Sequence, residues 1–256
     1  MPEPTSDIGT FDAIIVGAGV GGLYAIHRLR KLGLKLRAFE AGDGVGGTWY
    51  WNRYPGCRCD VESLEYSYSF SDELQQEWHW PERYGTQPEI LRYINHVADR
   101  FDLRRDIEFN TRVKAAVFDS KPNLWTVTTD KGQVATARYC IMATGNLSTP
   151  RKPNIAGLES FKGKWYHTGL WPHEGVDFTG LRVGVIGTGS SGVQSIPIIA
   201  RQAKHLYVFQ RTANFSLPAR NVPMSSDKER THKAEYPARR RAAFDTPFGT
   251  RGMPHR

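Results

Sequence analysis

Residues 11–40 read FDAIIVGAGVGGLYAIHRLRKLGLKLRAFE. Residues 11–16 are mainly apolar and rich in β-branched side chains, which predicts a buried parallel strand. The pattern G-x-G-x-x-G follows at residues 17–22. Apolar residues at helical spacing then run from Leu23 to Leu32, with Gly33 as the stop. The stretch therefore predicts a strand, a glycine-rich turn and a helix in direct succession.

A second strand, from Leu34 to Phe39, ends on Glu40. In this arrangement Gly17 permits a tight turn, Gly19 lets the backbone approach a pyrophosphate, and Gly22 allows the helix to pack closely on the sheet. The helix N-terminus supplies N–H groups for the phosphate charge. Glu40 follows the strand at the position where a carboxylate can accept both hydroxyl protons of an adenosine ribose. These features together predict a dinucleotide site.

The same order of elements occurs again later in the chain. A strand at 181–186 (LRVGVI) precedes GTGSSG, then a helix that Pro197 interrupts or kinks, then a strand at 205–209 (HLYVF). The turn residues predicted to bind the second nucleotide are Gly187, Thr188, Gly189, Ser190, Ser191 and Gly192. Two such units predict an α/β fold with two Rossmann-like dinucleotide-binding domains.

The second unit ends differently from the first. Its last strand runs into Gln210-Arg211-Thr212, without an acid. A carboxylate there would repel a 2′-phosphate, whereas the guanidinium of Arg211 can bind one, with Thr212 beside it. The first site is therefore interpreted as an FAD site and the second as an NADPH site. The alternative for Arg211 is an ordinary surface cation.

The chain between the two units has its own elements. An amphipathic helix is predicted over 87–101 (QPEILRYINHVADRF) and alternating strands over 113–118 and 124–129. An apolar strand at 138–142 closes on Ala143-Thr-Gly145, where the chain would leave the first nucleotide domain.

Composition excludes several classes of protein. The formal net charge of +8 comes from residues 201–256, which hold 12 Lys/Arg and 4 Asp/Glu, while residues 1–200 hold 22 of each. A solvated, partly unfolded basic tail explains this excess better than a nucleic-acid surface. No apolar run is long enough for a membrane span, and the polar start of the sequence does not resemble a signal peptide. We expect a cytoplasmic protein that binds neither nucleic acid nor membrane.

The three cysteines are Cys57, Cys59 and Cys140. Their odd number argues against a disulfide framework. The Cys57/Cys59 spacing lacks the second ligand pair of a zinc site, and no metal is expected.

Residues 161–172 carry the sharpest motif of the sequence. Phe161, Gly163, His167 and Trp171 match F-x-G-x-x-x-H-x-x-x-W, which resembles the fingerprint of type I Baeyer–Villiger monooxygenases. Residues 46–60 are similar to that family's motif G-G-x-W-x(4)-[FY]-P-G-x(3)-D. The sequence particularly resembles the phenylacetone monooxygenase-like members.

The resemblance implies an FAD-containing, NADPH-dependent monooxygenase that uses O₂ to convert ketones to esters or lactones by way of a C4a-peroxyflavin. The cofactor would carry the hard chemistry while the protein positions it. A monomer is expected.

The resemblance also implies roles for individual residues. The flavin contacts carried over are Thr48, Trp49, Asp60, Tyr66 and, through its backbone, Val113. Arg58 and Asp60 match an active-centre loop in which Asp60 would be a partly buried carboxylate that tunes a nearby cation. His167 is expected to organise the movement of the cofactor domains rather than to transfer protons itself.

The family's chains are about twice as long, so the sequence is expected to be the N-terminal part, with the second half of each nucleotide domain and the peroxide-stabilising arginine missing. The predicted divisions are an FAD-binding part at 1–148, an NADPH-binding part at 149–212 with the linker 161–172, and a helical insertion or disordered basic tail at 213–256.

Three alternatives remain open at this point. One is an N- or S-oxidising flavin monooxygenase on the same architecture. Another is a pyridine-nucleotide disulfide reductase, which would need a reactive C-x-x-C or C-x(4)-C pair that the sequence lacks. The third is a non-catalytic, truncated nucleotide-binding fragment, and oxygenation by this chain alone is doubtful.

Overall fold

The computed structural model describes residues 6–247 and residue 249. These residues form two compact units. The first comprises residues 6–55 and Ile90–Asp177, and the second comprises Gly56–Glu89 and the described residues from Phe178 onward. Each unit is therefore built from two stretches of chain. The predicted divisions at 148 and 212 follow the nucleotide motifs rather than the boundaries of these two units, and they stay a prediction.

The first unit contains a six-stranded sheet. Its strands are β1 (Ser6–Val16), β2 (Leu36–Phe39), β3 (Ile107–Glu108), β4 (Val113–Asp119), β5 (Leu124–Thr129) and β6 (Gln133–Met142). The order is β3-β2-β1-β6-β5-β4, in which β1 pairs in parallel with both β2 and β6, while β4, β5 and β6 pair antiparallel. The parallel half carries the first glycine turn.

Helices complete both units. Their bounds are α1 (Val20–Lys31), α2 (Thr48–Trp51), α3 (Asp72–Glu77), α4 (Gln87–Arg100), α5 (Ser190–Gln202), α6 (Ser226–Ala234) and α7 (Tyr236–Phe244). Within the described residues, no helix is long and apolar enough to cross a membrane.

β1 lies at the centre of the first unit because its end is apolar on both faces. Ala13, Ile14 and Ile15 have no exposed surface, and α1 buries Leu23 and Ile26 completely. Burying a side chain of this size stabilises the fold by about 1.5 to 3 kcal/mol. This packing fixes the strand, turn and helix predicted for residues 11–32.

Several predicted bounds differ from the observed ones. α1 begins at Val20 rather than Leu23 because the last glycines of the turn already have helical conformation. β2 begins at Leu36 rather than Leu34. The strand predicted at 138–142 begins at Gln133, because the chain pairs with β5 directly after its turn.

The second unit contains a two-stranded parallel sheet, β7 (Arg182–Ile186) and β8 (His205–Phe209), with α5 between them. Of the two effects predicted for Pro197, the interruption is wrong, since α5 continues through it, and the kink stays a prediction. Proline removes one helix hydrogen bond, and the burial of Ser195 and Ile199 on either side of it holds the helix together. The sheet leaves Ile186 and Phe209 exposed.

The basic segment after β8 forms two helices over residues 226–244, so the disordered tail is wrong there, and the start of a helical insertion stays a prediction. Nζ of Lys233, in α6, donates to the carbonyl oxygens of Gln76 and Trp78, both at 2.8 Å. The guanidinium of Arg240, in α7, donates to the Glu65 carbonyl at 2.9 Å and to other groups of the same segment. The cations thus hold the helices in place by satisfying backbone acceptors. The predictions for residues 250–256 lie outside the described residues.

His232 is a buried titratable group of α6, with an exposed fraction of 6%. Burial is the main cause that lowers its pKa from 6.5 to about 4, followed by the charges of Arg239 and Arg240. Smaller effects come from Glu62, which raises the pKa, and Lys228, which lowers it.

We expect acid to destabilise the docked helices through His232. Because the folded pKa lies below the unfolded one, the unfolded chain binds more protons between pH 6.5 and about 4. The free energy of unfolding should therefore fall by about 2 to 3 kcal/mol as the pH drops through that window. His232→Phe keeps a ring against Tyr236, which the imidazole meets edge-on at 5.2 Å, and should lack this slope. Urea unfolding at several pH values would measure both, and equal slopes in the two proteins would contradict the assignment.

Candidate functional site

The first glycine turn is closed by backbone contacts that exclude side chains. Gly17 has φ +106°, and a Cβ there would lie 2.6 Å from the carbonyl oxygen of Ala143. A Cβ on Gly22 would lie 2.0 Å from the carbonyl oxygen of Gly17. At Gly19, the atom nearest to an added Cβ would be the Cα of Gly47, at 3.3 Å. Gly47, which the G-x-G-x-x-G motif does not include, thus packs against Gly19 of this turn.

The N-terminus of α1 has no side-chain cap. Its cap residue, Gly19, provides no side-chain hydrogen bond, and the first turn contains no acidic residue. The dipole of a helix makes such an end suitable for phosphate.

Glu40 lies at the end of β2 and is 5% exposed. Its Oε2 accepts from the backbone N–H of Ala18 at 2.7 Å, and its Oε1 accepts from the N–H of Gly42 at 2.8 Å. Each carboxylate oxygen has a second lone pair. The carboxylate is thus fixed in place by the turn and keeps acceptor capacity for two hydroxyl groups.

The G-G-T-W run continues this site within the first unit. Thr48 and Trp49 begin α2, and Trp49 is buried. The ring of Tyr50 packs so tightly on the preceding turn that a Cβ on Gly42 would lie 2.7 Å from it, and its hydroxyl donates to Asp43 at 2.6 Å. Burial raises the pKa of Tyr50, and the hydrogen bond to Asp43 raises it further. Sequence reasoning did not single out Tyr50, although its place in the run was visible.

The loop of the predicted active centre lies in the second unit. Nη1 of Arg58 donates to Oε2 of Glu82 at 3.1 Å. Asp60 is exposed, so the expectation of a partly buried carboxylate beside a cation is wrong for this structure. Glu82, from a later part of the same stretch, occupies that position instead. Tyr66 is half-buried in this unit, whereas Val113 begins β4 in the first unit.

The cysteines beside Arg58 are unsuited to thiol chemistry. Cys57 and Cys59 are both buried, and neither forms a disulfide bond. Burial raises the pKa of Cys59 to about 11. Since the thiolate is the reactive form, this thiol is inert near neutral pH. Within the described residues, no group of three or more His, Cys, Asp or Glu side chains could hold a metal ion.

The second glycine turn is more open than the first. Gly187 has φ +100°, and a Cβ on Gly192 would lie 2.4 Å from the carbonyl oxygen of Gly187, whereas nothing lies within 4 Å of one on Gly189. Oγ1 of Thr188 accepts from Nε2 of Gln210 at 2.8 Å and from Nδ2 of Asn214 at 3.1 Å.

These two hydrogen bonds from side-chain amides connect the second turn to the chain after β8, where Arg211 and Thr212 are exposed. The predicted residues Ser190 and Ser191 form the first turn of α5, whose N-terminus has no side-chain cap. The structure thus brings an uncapped helix end, the glycines and an exposed cation into one region of the second unit.

The fingerprint residues lie in the first unit and fold on themselves. A Cβ on Gly163 would lie 2.7 Å from the ring of Phe161, which pairs the first two motif positions. Nδ1 of His167 accepts from the N–H of Gly169 at 3.0 Å, capping a 3₁₀ turn, and Trp171 is buried. In its neutral form His167 therefore carries its proton on Nε2. A histidine that holds a turn suits the predicted organising role.

Comparison with known proteins gives one family model. The model described as pyridine nucleotide-disulphide oxidoreductase matches residues 14–225. The matched range includes both glycine turns and the fingerprint.

Several characterised proteins are similar to the chain. A 2-oxo-Δ3-4,5,5-trimethylcyclopentenylacetyl-CoA monooxygenase from Pseudomonas putida is 51% identical over 88% of this chain. A Baeyer–Villiger monooxygenase from Pseudooceanicola batsensis is 50% identical over 91% of it. A phenazine N-monooxygenase from Lysobacter antibioticus is 49% identical over 88% of it. The solved structure of an oxidised steroid monooxygenase bound to NADP is 60% identical, with a TM-score of 0.92 over 96% of this chain.

The chain spans less than half of each of these proteins. The matched part is 43% of the Pseudomonas putida protein, 43% of the Pseudooceanicola batsensis protein and 47% of the steroid monooxygenase.

Proposed function

Since the chain belongs to the pyridine nucleotide-disulphide oxidoreductase family and one of its relatives is a Baeyer–Villiger monooxygenase, we propose that it forms part of an FAD-containing, NADPH-dependent monooxygenase that converts small ketones to esters or lactones with O₂. The disulfide chemistry in the family's description does not fit this chain, because Cys57 and Cys59 are buried and the pKa of Cys59 is about 11.

One observation carries the proposal. The chain has two strand–glycine turn–helix–strand units whose second strands end on opposite chemistry. The first ends on the buried carboxylate of Glu40, which two backbone N–H groups orient. The second ends on the exposed guanidinium of Arg211. A carboxylate suits the ribose of a dinucleotide without a 2′-phosphate, and a cation suits one that has it.

The residues present fit both cofactors. The uncapped ends of α1 and α5 supply N–H groups for the two pyrophosphates, and Gly19 and Gly189 carry no side chain that would obstruct a phosphate. When bound, FAD supplies the redox centre that accepts hydride from NADPH and reacts with O₂. The lone pairs that Glu40 retains would accept the ribose hydroxyl protons.

The remaining roles are proposals that the positions support. Thr48, Trp49 and Val113 would line the flavin within the first unit. Asp60 and Tyr66, in the second unit, would contribute from the active-centre loop. Arg58, held by Glu82, would present a fixed charge, and His167 would organise the linker through the turn it caps. Action as a cytoplasmic monomer also stays a prediction.

The experiment follows the colour of the flavin. The purified chain is mixed with FAD, freed of excess cofactor, and titrated with NADPH and then NADH without oxygen. A yellow protein that NADPH bleaches is the expected result. A colourless protein, or one that neither nicotinamide cofactor bleaches, would contradict the proposal for this chain. Products formed from a ketone in air are then identified by mass spectrometry.

Selectivity for NADPH is expected to depend on Arg211. Arg211→Ala removes the charged partner of the 2′-phosphate, so the dissociation constant for NADPH should rise about tenfold or more, while that for NADH stays unchanged. Arg201→Ala removes an exposed arginine near the far end of α5 and serves as the control. Equal effects of the two substitutions on NADPH would contradict the role of Arg211.

Nitrogen oxidation is a second candidate, because one relative is a phenazine N-monooxygenase at 49% identity. Offering a ketone and an aromatic nitrogen heterocycle to the same preparation distinguishes the two. An ester or lactone product supports the first proposal, whereas an N-oxide alone supports the second.

A further inference from the structure

The backbone around Arg58 forms an edge that needs a partner. The N–H of Cys59 donates to the carbonyl of Gly85 at 3.0 Å, and the N–H of Gln87 donates to the carbonyl of Cys57 at 2.8 Å. Arg58 lies opposite Thr86 in this antiparallel bridge. In such a pair the central residue does not exchange hydrogen bonds with its neighbour, so the N–H and C=O of Arg58 point away from the bridge.

The side chain of Gln194, in α5, satisfies both groups. Its Oε1 accepts from the N–H of Arg58 at 3.3 Å, and its Nε2 donates to the carbonyl of Arg58 at 3.0 Å. One amide side chain thus takes the place of a third strand. An amide can do this because it carries a donor and an acceptor on one planar group.

The Arg58 loop and α5 also pack closely beside the two hydrogen bonds of Gln194. Gly56 has φ +79°, and a Cβ there would lie 2.3 Å from the carbonyl oxygen of Gln194 and 3.1 Å from Cγ1 of Ile198. The backbone of the loop therefore lies directly on α5, and any side chain at Gly56 would force the two apart.

The ion pair of Arg58 is also supported by a residue that follows the second glycine turn. Its partner Glu82 accepts a hydrogen bond from Nδ2 of Asn221, and Oδ1 of Asn221 accepts from the N–H of Tyr84 at 3.0 Å. Gln194 and Asn221 both come after the second glycine turn. The backbone and the charge of Arg58 are thus both fixed by the chain that carries the second nucleotide motif.

We propose that Gln194 is a positioning residue, which holds the Arg58 backbone on α5 so that a nucleotide at the second glycine turn orders the Arg58 loop. The inference rests on the proposed function for the nucleotide itself. Gln194 is the fifth residue of α5, one turn from the end that would meet the phosphates. A ligand that orders this end of the helix restricts Gln194 and, through its two hydrogen bonds, Arg58.

The test measures amide hydrogen exchange at Arg58 in the complete chain, with NADP⁺ as the probe. Gln194→Ala removes both hydrogen bonds and should speed exchange at Arg58 about five- to tenfold without nucleotide. Gln194→Glu keeps only the acceptor, so its exchange rate at Arg58 should lie between those of the unaltered chain and Gln194→Ala. Gln202→Ala is the matched control, because Oε1 of Gln202 accepts from the N–H of Phe178 at 3.3 Å near the other end of α5. It should behave as the unaltered chain.

With NADP⁺ added, exchange at Arg58 should slow in the unaltered chain and in Gln202→Ala, but not in Gln194→Ala, although NADP⁺ binds all three within twofold. Unchanged exchange in Gln194→Ala, or equal protection by NADP⁺, would overturn the inference. Failure of the unaltered chain to bind NADP⁺ would instead count against the proposed function, and the nucleotide-free comparison would still decide whether Gln194 holds Arg58. Circular dichroism distinguishes loss of the two Gln194 hydrogen bonds from loss of the fold. Gln194→Glu gives a milder variant if alanine unfolds the chain.

Discussion

Gly22→Ala is expected to abolish FAD retention and to destabilise the first unit by about 3 to 5 kcal/mol. The added Cβ would lie 2.0 Å from the carbonyl oxygen of Gly17. That atom belongs to the backbone of the turn, so no side chain can move aside to relieve the overlap. The turn must open, and the N–H groups of α1 then lose their alignment on the phosphate position.

The neighbouring glycine provides the control. Gly21 also lies in α1, but nothing lies within 4 Å of a Cβ added there. Gly21→Ala should leave FAD binding unchanged and raise stability by up to about 1 kcal/mol, because alanine loses less backbone entropy in a helix. Visible absorption after gel filtration and urea unfolding measure the two effects. If both variants retain FAD equally, the packing argument for Gly22 fails.

The second large effect is expected at Glu40. Glu40→Ala leaves the buried N–H groups of Ala18 and Gly42 without their acceptor, at a cost of about 2 to 5 kcal/mol, and it also removes the acceptor for the ribose. FAD affinity should fall at least about a hundredfold. Glu40→Gln keeps one acceptor oxygen and presents an NH₂ group to the other N–H, so its effect should be intermediate.

Asp12→Ala is the matched control for Glu40. Oδ2 of Asp12 also accepts from a backbone N–H, that of Lys35 at 2.8 Å, but it lies four residues before the end of β1 and away from the turn. Its loss should cost about 1 kcal/mol and leave FAD affinity unchanged. Isothermal titration with FAD compares the variants. An Asp12 variant that binds FAD as weakly as the Glu40 variant would show that general destabilisation causes both effects.

Local patterns explain why much of the fold could be predicted from the sequence. In residues 11–40 the first strand, the helix and the second strand all lie within one continuous stretch. Their ends are confirmed to within three residues, except that β1 begins at Ser6, five residues before the predicted start. The same holds for β7, α5 and β8, apart from the interruption expected at Pro197. Where interacting residues are close in sequence, the spacing of the apolar residues predicts the helix or strand directly.

The surroundings of Arg58 could not be predicted in this way. Its backbone partner Gln194 lies 136 positions away, and Glu82 rather than the nearby Asp60 pairs with its guanidinium. A single glutamine within a helix has no sequence signature for such a contact. The resemblance assigned roles to Arg58 and Asp60, and these stay proposals. Which side chains of the loop are exposed and which are paired depends on tertiary contacts.

The second unit is built from two distant stretches, Gly56–Glu89 and the chain from Phe178 onward. This has a consequence during synthesis. Glu82 and its partner Asn221 are separated by 139 positions. At ribosomal speeds of about 5 to 20 residues per second, the earlier stretch waits roughly 7 to 28 s before its partner emerges. During that time Trp78 and Trp80, which end at 9% and 3% exposure, have nothing from the later stretch to cover them. The nascent chain should therefore depend on chaperones at this stage, and slower translation between the two stretches would lengthen that dependence.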